Sequence, residues 1–561
     1  MKSNAAIAYH PEGFDTSAKR LMGRQAAGQG FLEGLVRHGD LDTLFCCARA
    51  KAAFDDFVAR TGRFGAKPKR AVFIPENRPD LLKQPGCLYY PSPTLAPLAA
   101  RRATIGTSAY SLCGVTHTLA STGVMDAISA YLTAPLEPWD ALICTSSAAK
   151  SAVNRIIDLQ ADYLTTRVGA KPVPRLELPV IPLGVDCDRF AANADASRAA
   201  WRARLGIADG DVAALFVGRL SYHAKANPAP MYIGLEAAVS ALPKGARLHL
   251  VLVGWFANTA LERGYRDAAA ALCPSVNLIV VDGRASDART EPWHAADLFT
   301  SLADNVQESF GLTPIEAMAA GLPSVVADWD GYRDTIVDGE TGIRVPTFSP
   351  PAGTGDDLAF RYANEIDSYD RYIGGIALLT AVDVRAASEA YGRLVGDAAL
   401  RRRMGEAAKA RARNHYDWRV VIAAYQALWA ELAARRAQVA PLAADALTPS
   451  PGVLRDPFSF FKEFPSAQLS LRHRIAWADR TAPGAIDSLL AQPIANYAPF
   501  LLLEADACRV LGEAIRRGRN AEVGELLATV PAELRRHALR TLLWFAKFGL
   551  VHIDAPTAAG A

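Results

Sequence analysis

Short apolar runs alternate with longer segments of helical periodicity along most of the chain, and no other feature constrains the fold as strongly. The first series of runs comprises Ala5–Tyr9, Arg70–Ile74, Ala103–Thr107, Asp140–Thr145 and Leu178–Pro182. The second comprises Val212–Val217, Leu248–Val253, Asn277–Val281, Leu298–Leu302 and Ser324–Ala327. The segments between them carry helix-spaced apolar residues, namely Gln25–Arg37, Gly123–Leu132, Ser147–Arg167, Ala229–Leu242, Thr259–Leu272 and Pro314–Ala320. This alternation predicts parallel sheets covered by helices on both faces.

The two series are separated by Gly184–Asp211, which predicts a domain boundary. The chain has 561 residues, whereas a single hydrophobic core stops growing at roughly 250–300 residues. We therefore predict two Rossmann-like, doubly wound α/β domains, one over residues 1–190 and one over residues 205–400. Ligands of such sheets bind beyond the carboxyl ends of the strands, so the cleft between the facing domains is the expected site.

The pattern changes after the second series. Residues 350–375 are rich in Gly, Pro and Asp and predict a loop insertion. Residues 401–438 predict amphipathic closing helices, whose arginines are interpreted as a solvated face. Prolines at 441, 449, 451 and 457 mark a linker over residues 439–457.

The remainder of the chain is predicted to form a helical accessory domain over residues 458–550, followed by a tail over residues 551–561. The pattern Pro531–Val551 is also compatible with a winged helix, so this domain has two interpretations. In either form it is expected to bind a protein partner or to mediate dimerisation.

Composition excludes several classes of protein. The formal net charge is only +3, from 61 basic and 58 acidic residues, so there is no electrostatic reason to expect a nucleic-acid partner. The eight cysteines are scattered without metal-binding spacing, which predicts buried thiols and no metal site. No stretch reaches the ~18 apolar residues of a membrane span, and Met1–Pro11 lacks the apolar core of a signal peptide. A cytoplasmic protein is expected, and peripheral contact with the inner face of the membrane is compatible with that expectation.

The most informative motif is the stretch Asp304–Pro323, which reads DNVQESFGLTPIEAMAAGLP. A predicted strand ends before it, a glycine-containing loop follows, and a helix then begins. Two carboxylates, Glu308 and Glu316, frame the loop with seven residues between them. An acid between a strand and a glycine loop has no obvious structural task, so Glu308 in particular points to a ligand.

The start of that helix forms a second part of the motif. Thr313 suits an N-cap and Pro314 suits the first helical position. The amides of Gly311, Leu312 and Thr313 are then expected at the positive end of the helix dipole, where a diphosphate or sugar hydroxyls can bind. Thr313 and Glu316 also have the spacing of a capping box, so a purely structural role is an alternative for Glu316.

This motif resembles the signature of the family 4, or group 1, glycosyltransferases, which are retaining enzymes of the GT-B fold. The resemblance covers about residues 1–438 and is most specific in the glutamate loop. In that family the first glutamate contacts the donor sugar and the second holds the ribose hydroxyls of the nucleotide. By position, the resemblance implies the first role for Glu308 and the second for Glu316.

A second segment, Leu215–Lys225, contains Gly218, Arg219 and Lys225 after an apolar strand. A glycosyltransferase has to neutralise the charge that builds on the departing nucleotide diphosphate, and fixed cations can do so. The segment resembles the strand-end arginine and lysine of the family, although its spacing is one residue longer than the commoner pattern. The alternative is that both cations are ordinary surface charges.

Two further groups of residues enter through the resemblance. His117 follows an apolar stretch in the first domain and is similar in position to the family histidine that reaches the donor sugar. Gly23 and Arg24 belong to Leu21–Gly30, which resembles the family's first glycine loop. Gly28 and Gly30 have a structural alternative, because small residues also allow close helix packing.

Together these features predict a retaining, metal-independent glycosyltransferase. The expected donor is a nucleotide-diphosphate sugar, and the expected acceptor is a glycan, a lipid-linked acceptor or another hydroxyl compound in surface polysaccharide or glycoconjugate biosynthesis. No cofactor is expected. One alternative is a GT-B nucleotide-sugar epimerase or phosphorylase, because a fold does not fix a function. The other is a non-catalytic sugar-nucleotide-binding or scaffold protein.

Overall fold

The computed structural model describes residues 4–15, 23–65, 70–192, 194–285, 291–439, 456–479 and 481–554, and the side chain of Arg24 also lies outside the described part. The chain forms two compact units, Met1–Val453 and Leu454–Ala561. The larger unit contains two six-stranded sheets.

The first sheet is entirely parallel, in the order β3-β2-β1-β4-β5-β6. Its strands are β1 (Ala6–Ala8), β2 (Thr43–Ala48), β3 (Arg70–Pro75), β4 (Cys87–Tyr90), β5 (Ser111–Val115) and β6 (Ala141–Ile143). Its helices are α1 (Gly23–His38), α2 (Lys51–Gly62), α3 (Ala96–Ala103), α4 (Thr122–Ser129) and α5 (Ser147–Val168). Buried apolar side chains lie on both faces of the sheet, as the absence of polar alternation in the strands predicts.

Two of the strands predicted in this domain are wrong. Ala103–Thr107 begins on the last residue of α3 and continues as a turn. Leu178–Pro182 is extended but makes only an isolated bridge, between Cys144 and Val180. Three strands of this sheet, β2, β4 and β5, are not predicted by the sequence pattern.

The second sheet is also entirely parallel, in the order β12-β11-β10-β7-β8-β9. Its strands are β7 (Val212–Val217), β8 (Leu248–Gly254), β9 (Asn277–Asp282), β10 (Leu298–Ser301), β11 (Ser324–Ala327) and β12 (Gly342–Val345). The helices that precede or connect them are α6 (Cys187–Ala191), α7 (Ala194–Leu205), α8 (Ala229–Ala238), α9 (Thr259–Leu272), α10 (Pro292–Ala295), α11 (Leu312–Ala319) and α12 (Tyr332–Thr335). The predicted fold class, two Rossmann-like doubly wound domains, is confirmed.

Residues 350–375 are not the loop insertion that their composition predicts. After β13 (Thr347–Phe348) the chain forms two helices, α13 (Asp356–Ala363) and α14 (Tyr369–Leu378), and returns through β14 (Ala381–Val382), which pairs with β13. Only residues 350–355 and the connection over residues 364–368 are irregular. The pair α13–α14 is called the helical hairpin below.

The closing helices connect both domains. The helices α15 (Val384–Gly396) and α16 (Ala398–Arg411) pack on the second domain, a π-helical turn follows, and α17 (Trp418–Ala437) returns to the first. Trp418 is buried against α1, and side chains at Gly34 and Gly184 would collide with its ring. Helix α17 therefore completes the core of the first domain.

Trp418 is expected to be a major determinant of stability. Trp418→Ala would leave a large cavity between α1 and α17, at a cost of about 3–5 kcal/mol. Urea unfolding followed by circular dichroism should show a lower midpoint than in the wild type. Leu159→Ala, a truncation of a 53% exposed side chain in the same domain, is the matched control and should change little. Equal midpoints for the Trp418→Ala variant and this control would contradict the account.

The smaller unit combines helices with a sheet that was not predicted. Its helices are α18 (Pro457–Phe460), α19 (Ala485–Leu490), α20 (Ala505–Gly518), α21 (Val523–Ala528) and α22 (Arg535–Lys547). Its three antiparallel strands, β15 (Arg474–Trp477), β16 (Ala521–Glu522) and β17 (Val551–Asp554), have the order β16-β15-β17. The region is mainly helical as expected, but the sheet shows that it is not a purely helical bundle. Most of the predicted linker and tail lies outside the described residues.

Two further expectations concern the chain as a whole. All eight cysteines are buried, and none forms a disulfide within the described part of the chain. Burial raises the pKa of several of these thiols, including Cys113. No helix among the described residues is both long enough and apolar enough to cross a membrane.

Candidate active site

The second sheet has a topological switch point between β7 and β10. The two strands are neighbours, but the chain continues from β7 to β8 towards one edge of the sheet and from β10 to β11 towards the other edge. Clefts beyond the carboxyl ends of the strands at such a point bind ligands in doubly wound folds. Residues 218–227 follow β7 and residues 302–311 follow β10. The two segments that the sequence pattern selected therefore meet at one edge of one sheet.

Buried polar side chains tie these two loops together. Asn305 Nδ2 donates to the carbonyl of His223 at 2.9 Å, and the amide of Asn227 lies 3.3 Å from a carboxylate oxygen of Asp304. Both Asp304 and Asn305 are almost completely buried. Burial raises the pKa of Asp304 to about 7, although the amide of Asn227 partly opposes this shift. The loops are thus held in a fixed relation before any ligand binds.

Glu308 and Lys225 form an ion pair across the switch point. Their side chains are only 14% and 20% exposed, so both charges are largely withdrawn from water. Burial alone would lower the pKa of Lys225, but the adjacent Glu308 carboxylate outweighs burial and raises it. The ammonium group therefore stays charged at neutral pH.

Arg219 lies beside this pair. Its Nη2 donates to the carbonyl of Ala224 at 2.9 Å and to Oε1 of Gln307 at 2.7 Å. Since Gln307 precedes Glu308, the structure brings Arg219, Lys225 and Glu308 into a single crevice. Gly218 lines it as well, because a Cβ atom there would lie 3.3 Å from Cε of Lys225.

The helix tip differs in register from the sequence prediction. Helix α11 begins at Leu312 with Gly311 as the N-cap, so Thr313 is already inside the first turn and is not the cap. Gly311 has a φ of +85°, and a Cβ atom there would lie 2.1 Å from the Tyr332 ring. Only glycine fits this position. The amides of Leu312 and Thr313 remain at the positive end of the helix dipole.

Because Thr313 is not the N-cap, the capping box proposed as an alternative for Glu316 does not form. Glu316 lies one turn into α11, where the positive charges of Arg189 and Lys225 act to lower the pKa of its carboxyl group. Burial is the larger influence and raises its pKa to about 7. The carboxyl group is therefore buried near these two cations and is not used to close its own helix.

The raised pKa of Glu316 makes stability depend on pH. The folded state disfavours the carboxylate, so the penalty is absent below the unfolded pKa of about 4.5 and complete above about 7. Stability should fall as the pH rises through this window, by at most ~1.4 kcal/mol per pH unit for each such group. Melting temperatures should therefore decline less steeply in Glu316→Gln than in the wild type. A residual slope is expected from Asp304, and identical slopes would contradict this prediction.

The first domain faces these loops across the cleft. The Thr118 hydroxyl lies 3.4 Å from the carbonyl of Gln307, and Oγ of Ser146 donates to the carbonyl of Ser309 at 2.8 Å. His117 precedes Thr118, and its Nε2 lies 3.0 Å from the carbonyl of Pro91. The histidine thus stands on the first-domain wall of the cleft, one residue away from a contact with the glutamate loop.

Asp330 is a residue of the site that the sequence reasoning missed. It is one of few non-glycine residues with positive φ, at +45°, and such conformations concentrate at functional sites. Burial and the nearby Glu308 carboxylate raise its pKa to about 7, while a 3.5 Å contact with Oγ of Ser146 opposes the shift. The dipeptide Asp330–Gly331 is a turn signal after β11 and could have drawn attention to this position.

The structure supports the packing alternative for two residues of the first glycine segment, Gly28 and Gly30. Gly23 is exposed at the start of α1, and the side chain of Arg24 lies outside the described residues. A Cβ atom at Gly28 would lie 2.6 Å from the carbonyl of Gly13, and one at Gly30 would lie 3.0 Å from Trp418. Gly28 and Gly30 therefore serve helix packing. Among the described residues, no cluster of His, Cys, Asp and Glu has the composition of a metal site.

Comparison with known proteins gives a family match for one part of the chain. Residues 197–352 match the family model described as glycosyl transferases group 1. A D-inositol 3-phosphate glycosyltransferase of Geodermatophilus obscurus is 36% identical over 197 residues, which are 34% of this chain and 41% of that protein. Another from Nocardia farcinica is 33% identical over 175 residues, which are 30% of this chain and 37% of that protein. The chain thus matches about two-fifths of the length of these curated relatives.

Solved structures with a similar architecture include a glycosyltransferase from Rickettsia africae, with a TM-score of 0.49 and 13% identity over 77% of this chain and 99% of that one. Anabaena HepE in complex with UDP and glucose gives a TM-score of 0.45 and 14% identity over 76% of this chain and 100% of that one. The family match contains both strand-end cations and both glutamates of the crevice. Residues 197–352 are thus similar to the group 1 glycosyl transferases.

Proposed function

We propose that the protein transfers a glycosyl group from a nucleotide-diphosphate sugar to a hydroxyl acceptor, with retention at the anomeric carbon and without a metal ion. The observation that carries this proposal is the meeting of Arg219, Lys225 and Glu308 at the switch point of the second sheet. Two fixed cations and the tip of α11 suit a diphosphate, and a carboxylate beside them suits the hydroxyls of an attached sugar.

In the proposed reaction the bond between the anomeric carbon and the β-phosphate oxygen breaks. The acceptor oxygen forms a bond to the same face of that carbon, and the acceptor's proton passes to the departing phosphate oxygen. This front-face route is the one that the family resemblance implies. Negative charge grows on the diphosphate as the bond breaks, and Arg219, Lys225 and the amides of Leu312 and Thr313 stabilise it.

The ion pair between Lys225 and Glu308 suggests what donor binding changes. Without a donor, the two groups neutralise each other in a crevice that water barely reaches. A bound donor offers the ammonium group a phosphate and offers the carboxylate sugar hydroxyls, so each finds a partner of matching chemistry. Glu316 then accepts hydrogen bonds from the ribose, and His117 approaches the sugar from the first domain.

The acceptor is the least constrained part of the proposal. The curated relatives are D-inositol 3-phosphate glycosyltransferases, whereas the family match in this chain begins only at residue 197. Acceptor choice would depend on the first domain, which lies before the match. We propose a hydroxyl of a glycan, of a lipid-linked glycan or of a phosphorylated polyol, in surface polysaccharide or glycoconjugate biosynthesis.

A panel of UDP-, GDP- and ADP-sugars tests the proposal. At least one donor should raise the melting temperature, by an amount that continues to grow with the logarithm of its concentration above the Kd. With acceptors added, that donor should be consumed, and NMR should show an unchanged anomeric configuration and a rate insensitive to chelator. A sugar altered without acceptor would indicate an epimerase, and a requirement for inorganic phosphate would indicate a phosphorylase. Binding of a donor without turnover for any acceptor or with water would favour the non-catalytic alternative.

A further inference from the structure

The helical hairpin contacts the crevice, although it lies outside the family match. The match ends at residue 352, and α13 begins at Asp356. Ile373 of α14 is fully buried and clusters with Ala120 of the first domain and Ala224 of the β7 loop. Gly374 lies directly against His223, since a Cβ atom there would be 3.1 Å from Cβ of His223. The hairpin thus packs on the loop that carries Arg219 and Lys225.

A hydrogen-bond chain connects the hairpin to Arg219. Oε1 of Gln307 accepts from Nη2 of Arg219 at 2.7 Å, and Nε2 of Gln307 donates to the hydroxyl of Tyr369 at 3.3 Å. Tyr369 is the first residue of α14, and the Ser368 side chain caps this helix by accepting from the amide of Arg371. The tyrosine hydroxyl is therefore fixed by a helix start as well as by its half-buried ring.

The chemistry of the three groups determines the orientation of the amide. A guanidinium group has only donors, so the amide oxygen of Gln307 has to face Arg219. The amide nitrogen then faces the opposite way and needs an acceptor, which the Tyr369 hydroxyl supplies. If that hydroxyl were absent, the amide could rotate and present its NH₂ group to the guanidinium. Tyr369 thus stabilises the one amide rotamer that holds Arg219 in place.

Arg219 has the geometry of an oriented phosphate ligand. Both of its hydrogen bonds within the described part of the chain are made by Nη2. Its Nε and Nη1 are therefore available to donate to phosphate oxygens from two different edges of the planar guanidinium group, which has to be correctly aimed. Gln307 is also anchored through its backbone, because its amide donates to Oδ1 of Asn305 at 2.9 Å.

We propose that Gln307 and Tyr369 are positioning residues, which hold the Arg219 guanidinium in its diphosphate-binding orientation and make the helical hairpin a structural part of the donor site. This inference rests on the proposed function, since it assumes that Arg219 binds the donor diphosphate. It adds two residues that neither the sequence motif nor the family match identifies as functional, and Tyr369 lies outside the matched segment.

Calorimetric titration of the full chain with UDP, GDP and ADP tests the inference, together with the corresponding nucleosides. Tyr369→Phe keeps the ring and removes only the hydroxyl, and it should weaken binding of the diphosphate by about three- to tenfold while leaving nucleoside binding unchanged. Tyr372→Phe is the matched control, because that hydroxyl makes no hydrogen bond within the described part of the chain and its ring stacks on Tyr362 at 4.5 Å. It should bind the diphosphate as the wild type does.

A double-mutant cycle separates positioning from a general structural effect. In an Arg219→Met background, Tyr369→Phe should cause no further loss of diphosphate affinity, because there is no guanidinium left to orient. An equal loss with and without Arg219, or an equal loss in Tyr372→Phe, would overturn the inference, as would wild-type affinity in Tyr369→Phe. If the wild-type protein binds none of the three diphosphates, the proposed function fails and the inference falls with it.

Discussion

Glu308→Gln is expected to lower the rate constant for glycosyl transfer by about 100- to 1,000-fold, the usual effect of losing one preorganised electrostatic contact in an active site. The substitution preserves the shape of the side chain, and its amide oxygen can still accept from Nζ of Lys225. It removes the negative charge that lies beside the diphosphate site. The oxocarbenium-like centre that forms during transfer would then lose the negative charge of this carboxylate.

The same variant should bind the nucleoside diphosphate at least as tightly as the wild type. In the wild-type protein, the charge of Lys225 is balanced by that of Glu308. Because the glutamine of the variant is neutral, the ammonium group of Lys225 should attract a phosphate more strongly. Steady-state kinetics and titration with the product nucleotide measure the two effects separately. Glu340→Gln, an exposed carboxylate in the same domain, is the matched control. A Glu308→Gln variant with an unchanged rate constant would contradict the assigned role.

Arg219→Met should have the second largest effect, chiefly on the diphosphate. Loss of a charge-assisted hydrogen bond costs about 1.5–3 kcal/mol, which corresponds to roughly 10- to 150-fold in affinity. The rate constant should fall further, because negative charge on the diphosphate increases as the glycosyl bond breaks. Affinity for the nucleoside without phosphates should stay the same.

Two comparisons sharpen this prediction. Arg219→Lys keeps the charge but loses the planar group with several donors, so it should recover only part of the lost affinity. Lys244→Met removes an exposed cation of the same domain and should leave binding unchanged. If Arg219→Met weakened nucleoside and diphosphate to the same extent, the residue would act on folding or on the base, and its assignment to the phosphates would be wrong.

The architecture and the glutamate loop were predictable because their signals are local. An acid, a glycine and a helix start follow one another within Asp304–Pro323, and the helix begins two residues earlier than predicted. The missed strands of the first sheet, β2, β4 and β5, are short apolar runs that cannot be distinguished from buried helix segments by periodicity. The glycines and prolines at the start of residues 350–375 hid two helices, although Ser368 is a good N-cap.

Other parts of the site depend on contacts between distant segments and have no local signature. Gln307 contacts Arg219 from 88 residues away and Tyr369 from 62 residues away. Asp330 reaches Ser146 of the other domain across 184 residues of sequence. Nothing within a few residues of Gln307 or Asp330 indicates these partners. The small sheet of the C-terminal unit was missed for another reason, because a strand as short as β16, with only two residues, leaves no periodic pattern in the sequence.

A crystal structure with the best-binding nucleoside diphosphate tests the central claim most directly. We predict phosphate oxygens within hydrogen-bonding distance of Arg219, of Lys225 and of the amides at the tip of α11, and ribose hydroxyls against Glu316. Lys225 should have turned from Glu308 towards the phosphates. A nucleotide bound elsewhere, or in this crevice with its phosphates directed away from Arg219 and Lys225, would contradict the account.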